Sequence, residues 1–227
     1  ETGNRLSLGA LTVDPFGSGV LSYTDPEGRP LPALFNTVAI TREAVMDDAP
    51  TAAPVYGGRV PGQLTWVLRE ILVQSEAGVD GESLLAGVVE EGEFAALHAG
   101  LAAQAGSAAG MHSHAEHTIN ILLGTEDDLD GSGRGENPGR SKLGVSYFLD
   151  AIVTRLDGAL TAPSESVSEN DGQMAVLLDL DTDARRLQQD AELIRVCLDN
   201  ARARTAQIVD LERALLVAAN TDAVAAQ

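Results

Sequence analysis

The chain has 227 residues, 44% of them hydrophobic, and carries 34 acidic against 15 basic residues. This length is enough for one large or two small domains with apolar cores. The net charge of −19 disfavours nucleic acids and anionic membrane surfaces as partners and favours divalent cations, although acidity also serves solubility. No apolar run reaches the roughly 18 residues that span a bilayer. Because the chain begins at Glu1 without Met, we expect a processed polypeptide or part of a longer one.

Residues 1–50 are predicted to form a partial antiparallel β-sandwich. Short apolar runs at 6–8, 11–13, 20–23 and 34–41 alternate with Gly-rich and Pro-rich turns, which is typical of strands. A sheet this small rarely covers its apolar face alone. We therefore expect missing strands from upstream sequence, or a protein partner or second copy of the chain that completes the sheet.

The same residues resemble a known family. The succession Leu-Ser-Leu-Gly-Ala-Leu, Gly-Ser-Gly-Val-Leu, Tyr-Thr-Asp-Pro-Glu-Gly and Val-Ala-Ile-Thr-Arg-Glu resembles the later strands of the exported β-sandwich domain of anti-sigma-K-type factors. The resemblance covers about the first fifty residues and contains no catalytic group. It implies an extracytoplasmic β-domain. It does not imply sigma-factor binding, which belongs to a cytoplasmic segment absent from this chain.

Residues 51–63 are predicted to be a linker, and 64–227 an α-helical bundle of about four helices. The apolar period changes to about 3.6 after the linker. Helices are predicted at 63–74, from the cap at 80–83 to 105, from 111 to Gly124, at 141–160 and at 176–218. The fold class is thus α+β. Cys197 lies in an apolar helical setting and is expected to be buried.

The strongest motif is Met-His-Ser-His-Ala-Glu-His at 111–117, which holds three of the four histidines. His98 and His114 lie equally far from Gly106, in the predicted turn between two helices. A hairpin that turns there brings the two histidines face to face. His117 shares a helix face with His114 because three residues separate them. We therefore predict a site formed by His98, His114 and His117.

Several ligands fit three converging imidazoles. They suit a transition metal such as Zn²⁺ or Cu²⁺, with water or a carboxylate as a fourth ligand. Two of them could instead be axial ligands of haem b, or all could be hydrogen-bonded core histidines that make folding pH-sensitive near about pH 6. The His-Glu-x-x-His motif of zinc proteases is absent. Helical geometry predicts that His112 points away from the histidine site and that Glu116 is a surface residue.

A second motif, at 126–140, is similar to the calcium loop of an EF-hand. Position 12 holds Gly139 in place of the usual glutamate, so a last ligand must come from elsewhere, such as Asp127, Asn137 or water. The alternative is an Asp/Gly turn that needs no ion. The predicted calcium ligands are Asp128, Asp130, Ser132, Arg134 and Glu136.

The two motifs together carry a second resemblance. His-Ala-Glu-His-x-x-Asn-Ile, a glycine, then Asp-Leu-Asp-Gly-x-Gly and Asn-Pro-Gly resemble a helical domain of uncharacterised exported bacterial proteins, over about residues 64–218. That resemblance implies export and no particular reaction. The sequence also lacks a P-loop, a Gly-x-Gly-x-x-Gly after a strand and a Gly-x-Ser-x-Gly elbow. We therefore expect an exported, non-catalytic binding, sensory or assembly protein, with an electron carrier or metal-dependent redox enzyme as the alternative.

Overall fold

The computed structural model describes residues 5–44, 52–60, 62–161 and 180–225. A single helical turn and a small antiparallel sheet come first in the chain, and longer packed helices follow. One 3₁₀ turn, Val79–Gly81, separates the second and third helices. The elements in the described residues are α1 Leu31–Leu34, β1 Thr37–Thr41, β2 Pro54–Arg59, α2 Gly62–Leu72, α3 Leu84–Gln104, α4 Ala108–Leu123, α5 Val145–Thr161 and α6 Leu180–Ala225.

The sheet consists of β1 and β2 alone within the described residues. Val38 pairs with Gly58 and Ile40 with Tyr56 in antiparallel register. Val38, Ile40 and Tyr56 on one face are exposed, and so is Ala39 on the other, so neither face of this ribbon buries an apolar core. A full β-sandwich is therefore not formed by the described residues.

The strands predicted at 6–8, 11–13 and 20–23 are absent from the structure. Their segments are held by local turns: the Asp14 carboxylate accepts the N–H groups of Phe16 and Ser18. Apolar alternation alone is insufficient, because a strand needs a neighbouring backbone with which to pair. The prediction also missed β2, which lies within the range expected to be a linker. The Gly57-Gly58 pair is typical of a linker, although it lies within a strand that begins with Pro-Val-Tyr.

A second turn in this segment is closed by a charged pair. Asp25 accepts hydrogen bonds from the backbone and guanidinium of Arg29 at 2.7–3.0 Å. These bonds lower the pKa of Asp25 to about 2.

The helices α3 and α4 form the predicted hairpin, and local signals set its limits. Ser83 caps α3 by accepting the N–H of Ala86, and Ser107 caps α4 by accepting the N–H of Gly110. The α4 helix ends at Gly124, whose φ of 72° lies in the left-handed region that glycine adopts without strain. These caps set where α3 and α4 begin and where α4 ends, and the short turn between the helices sets which side chains meet across the hairpin.

Two apolar clusters hold α2, α3, α4, α5 and α6 together. Phe148 packs so closely on α3 that a Cβ atom at Gly87 would lie 2.5 Å from its ring. The first cluster joins Ala95, Ala115, Ile119, Ile121, Leu122, Val145, Leu149, Val209 and Leu216. The second joins Val67, Ile71, Leu84, Phe148, Ile152 and Leu156.

The long helix α6 packs against α4 and α5. Arg202 pairs with Asp150 and Arg195 with Asp157, so two ion pairs accompany the apolar contact between α5 and α6. Cys197 is exposed, contrary to the prediction, because its neighbour Leu198 is the residue that packs on the clusters. The polar segment 164–172, predicted to separate the last two helices, lies outside the described residues. Among the described helices, none combines the length and apolar character needed to cross a membrane.

Candidate metal centre

The hairpin brings His98 of α3 together with His114 and His117 of α4. Nδ1 of His98 lies 3.3 Å from Nδ1 of His114 and 3.3 Å from Nδ1 of His117. One ring nitrogen from each of the three histidines lies within 4.8 Å of the other two. The structure thus assembles the three residues that the sequence singled out.

The spacing of these nitrogens matches the dimensions of a metal site. An ion bound tetrahedrally by imidazoles at about 2.0–2.1 Å holds its ligand atoms about 3.3–3.4 Å apart. The two Nδ1 separations of 3.3 Å from His98 agree with that edge length. Two of the three nitrogen–nitrogen separations thus fit a shared ion, and they fit equally the hydrogen bonds that neutral imidazoles form with one another.

The electrostatics of the cluster favour the neutral form of His98. All three side chains are half-buried, and the ring centroids lie 4.9–5.8 Å apart. Burial lowers the pKa of His98, and the neighbouring His117 and His114 lower it further because two adjacent imidazolium charges repel. Neutral imidazole is the form that binds a metal.

His112 lies outside the cluster of His98, His114 and His117, as predicted. It is nevertheless a buried residue. It is 7% exposed, and its Nε2 has no hydrogen-bond partner among the described residues. Glu91 on α3 is a second buried group of this kind. Its Oε1 accepts the N–H of Ser141 at 2.6 Å, whereas its Oε2 has no such partner.

The predicted calcium loop connects α4 to α5, so it lies in a helix–loop–helix setting. Asp128 accepts the N–H groups of Gly131 and Gly133 at 3.0 and 2.9 Å, and Asp130 accepts the N–H of Ser132 at 2.8 Å. These hydrogen bonds hold both carboxylates against the backbone of the loop, and Asp128 remains exposed to solvent. Arg134 and Ser132 are exposed.

Glu116 was predicted to lie on the surface, and this is wrong. It is 2% exposed and accepts the N–H groups of Leu129, Asp130 and Glu136 at 2.7–3.1 Å. The loop packs over the face of α4 that a helical wheel alone would leave open to solvent. One carboxylate oxygen each of Glu116, Asp128 and Asp130 lies within 4.8 Å of the others.

Asn120, one helical turn beyond Glu116, is a second anchor that sequence reasoning missed. Its Nδ2 donates to the carbonyl oxygens of Asp127 and Glu136, and its Oδ1 accepts from Thr125 and Asp127. The side chain is fully buried. The spacing of Glu116 and Asn120 at i and i+4, ahead of an Asp/Gly-rich loop, is the signal that could have revealed both anchors.

No known family model, curated protein or solved structure matches the chain. Both resemblances inferred from the sequence therefore stay predictions.

Proposed function

We propose that this protein is an exported, non-catalytic binding or sensory protein whose helical bundle holds a divalent transition metal at His98, His114 and His117. The observation that carries the proposal is the pair of Nδ1 separations of 3.3 Å across the α3–α4 hairpin. Zn²⁺ suits the site best, because it accepts a tetrahedral set of three imidazoles completed by water. Cu²⁺ also binds imidazole strongly, and competition would rank the two ions.

The same geometry favours a single ion over haem. Axial ligation places one histidine on each side of a porphyrin plane, which must then lie between the rings. Here the ring nitrogens are within hydrogen-bond distance of one another. A porphyrin would therefore require α3 and α4 to separate, which would disrupt their shared apolar packing.

Calcium in the 126–140 loop is the second part of the proposal. The support is the approach of the buried Glu116 carboxylate to Asp128 and Asp130, since one carboxylate oxygen of each lies within 4.8 Å of the others. Glu116 is not one of the substitutes for position 12 considered from the sequence. As a carboxylate from the preceding helix, it could complete an oxygen ligand set with water.

Titration of the chelator-treated protein with Zn²⁺, Cu²⁺ and Co²⁺ tests the histidine site. We expect one equivalent of zinc to bind, and cobalt to give the intense visible bands of tetrahedral coordination. His98→Ala or His114→Ala should weaken zinc binding at least about 100-fold, since loss of a ligand costs more than loss of its supporting hydrogen bond. His112→Ala is the matched control, because it removes a histidine of the same helix outside the cluster.

An unaltered zinc affinity in His98→Ala would overturn the proposed site. Absorption of the protein as purified distinguishes the rival function. A Soret band lost in His98→Ala would replace the metal-binding proposal with a haem electron carrier.

A further inference from the structure

Glu136 faces the side of His117 that points away from the cluster. Its Oε2 lies 3.4 Å from Nε2 of His117, while Nδ1 of the same ring lies 3.3 Å from Nδ1 of His98. A proton on Nε2 would face this carboxylate at an ion-pair distance, so the negative charge of Glu136 favours the tautomer that carries its proton on Nε2. The lone pair of Nδ1 is then directed at the cluster, which is the tautomer a ligand must adopt.

Two hydrogen bonds hold the backbone of Glu136 beside the helix that carries His117. The N–H of Glu136 donates to Oε1 of Glu116 at 3.1 Å, and its carbonyl accepts from Nδ2 of Asn120 at 3.0 Å. Glu116 and Asn120 are buried residues of α4, the helix that also carries His117. The folded loop and the histidine ring are therefore held against the same two turns of helix.

We propose that Glu136 is the positioning residue of the histidine site: it holds His117 in its ligating tautomer and so couples the fold of the 126–140 loop to metal affinity. This inference rests on the proposed binding of a transition metal. Carboxylates that accept the second N–H of a ligating histidine orient the ring and raise its basicity. Because coupling free energies are reciprocal, an ion at the cluster also stabilises the loop.

The side chain and the backbone of Glu136 can be separated by mutation. Glu136→Ala removes the carboxylate but keeps the backbone bonds to Glu116 and Asn120, and Glu136→Gln keeps an oxygen that can accept from Nε2. Glu126→Ala is the matched control. It removes the same charge from the same loop, where Glu126 pairs with Lys142 at 2.7 Å.

We expect calorimetric titration to show zinc affinity about 10–100-fold lower in Glu136→Ala, with a smaller loss in Glu136→Gln and none in Glu126→Ala. In the metal-free protein, ¹⁵N spectra of the His117 ring should report the Nε2–H tautomer in the wild type and in Glu136→Gln. They should report a shift toward Nδ1–H in Glu136→Ala. If Glu136 only stabilised the loop, its replacement by alanine would leave the tautomer of the His117 ring unchanged.

Two results distinguish this inference from the proposed function. Wild-type zinc binding that Glu136→Ala changes less than about twofold would overturn the inference and leave metal binding in place. If the wild type binds no zinc, the proposed function fails and the coupling to metal fails with it. The tautomer of His117 then shows whether Glu136 still orients the ring.

Discussion

Nδ1 of His98 lies 3.3 Å from Nδ1 of His114, although sixteen residues separate them along the chain. An ion bound here would link α3 to α4 on opposite sides of the hairpin turn. We therefore predict that zinc at about 100 times its dissociation constant raises the free energy of unfolding by about 2.7 kcal/mol. Thermal melting with and without zinc checks this. His112→Ala should keep the stabilisation, His98→Ala should lose it, and an equal shift in both variants would contradict a specific site.

The metal-free protein should lose stability as the pH falls below about 6.5. Burial and the neighbouring His117 and His114 lower the pKa of folded His98 below its value in the unfolded chain. Between those two pKa values the unfolded state binds more protons than the folded state. The contribution of His98 to the free energy of unfolding is therefore complete above the pKa of the unfolded chain, and it is lost as the pH falls through the pKa of the folded protein. Urea denaturation of chelator-treated protein between pH 8 and 5 measures the effect. His98→Phe should flatten the decline, and an equally steep decline in that variant would exclude His98 as its source.

Glu116→Ala should destabilise the protein by about 2–4 kcal/mol. The substitution removes the only side chain that accepts the N–H groups of Leu129, Asp130 and Glu136 in the described structure. Chemical denaturation gives the change in free energy. Glu126→Ala on the same loop should leave the free energy of unfolding nearly unchanged, because its ion pair with Lys142 is exposed. Similar losses in both variants would show that Glu116 is not the anchor.

The convergence of the histidines could be predicted because every step of it is local. Helical spacing places His114 and His117 on one face, and the turn near Gly106 sets the register with α3. The caps Ser83 and Ser107 lie in the sequence next to the helices that they begin. Such features depend on neighbours within four residues, which a single sequence displays.

The role of Glu116 could not be predicted in the same way. Its burial depends on a loop that returns over α4 and presents N–H groups from residues 13 to 20 positions later. A helical wheel records only which way the residue points. The prediction of strands in the first 23 residues failed for a related reason. Alternation of apolar and polar residues indicates β-propensity, whereas strand pairing depends on distant backbone, as between Val38 and Gly58.

Calcium should raise the midpoint of thermal unfolding if the 126–140 loop binds it. The carboxylates of Asp128 and Asp130 lie close to that of Glu116, so an ion would replace charge repulsion with coordination. Melting is compared in calcium and in chelator, with Asp128→Asn expected to abolish the difference. Glu126→Gln, which removes a charge from the exposed part of the loop, should preserve it. An unchanged midpoint in the wild type at millimolar calcium would reject an occupied loop.

Gly139, at position 12 of the loop, is predicted to be intolerant of alanine because of Glu91. A Cβ atom there would lie 2.2 Å from Oε2 of Glu91 and 2.9 Å from Oδ1 of Asn137. Glu91 is 1% exposed and bonded to the N–H of Ser141, so it cannot move aside into solvent. Gly139→Ala should therefore cost about 1–3 kcal/mol.

A double-mutant cycle identifies the source of that cost. Glu91→Ala removes the clashing oxygen, so the combined variant should lose at least about 0.5 kcal/mol less than the sum of the two single variants. Gly92→Ala is the control. A Cβ atom at that position of α3 meets nothing within 4 Å, and alanine there should stabilise the helix by about 0.5–1 kcal/mol. Strictly additive losses would show that the clash with the carboxylate of Glu91 is not the source of the cost. The backbone of the loop would then be what requires glycine at position 139.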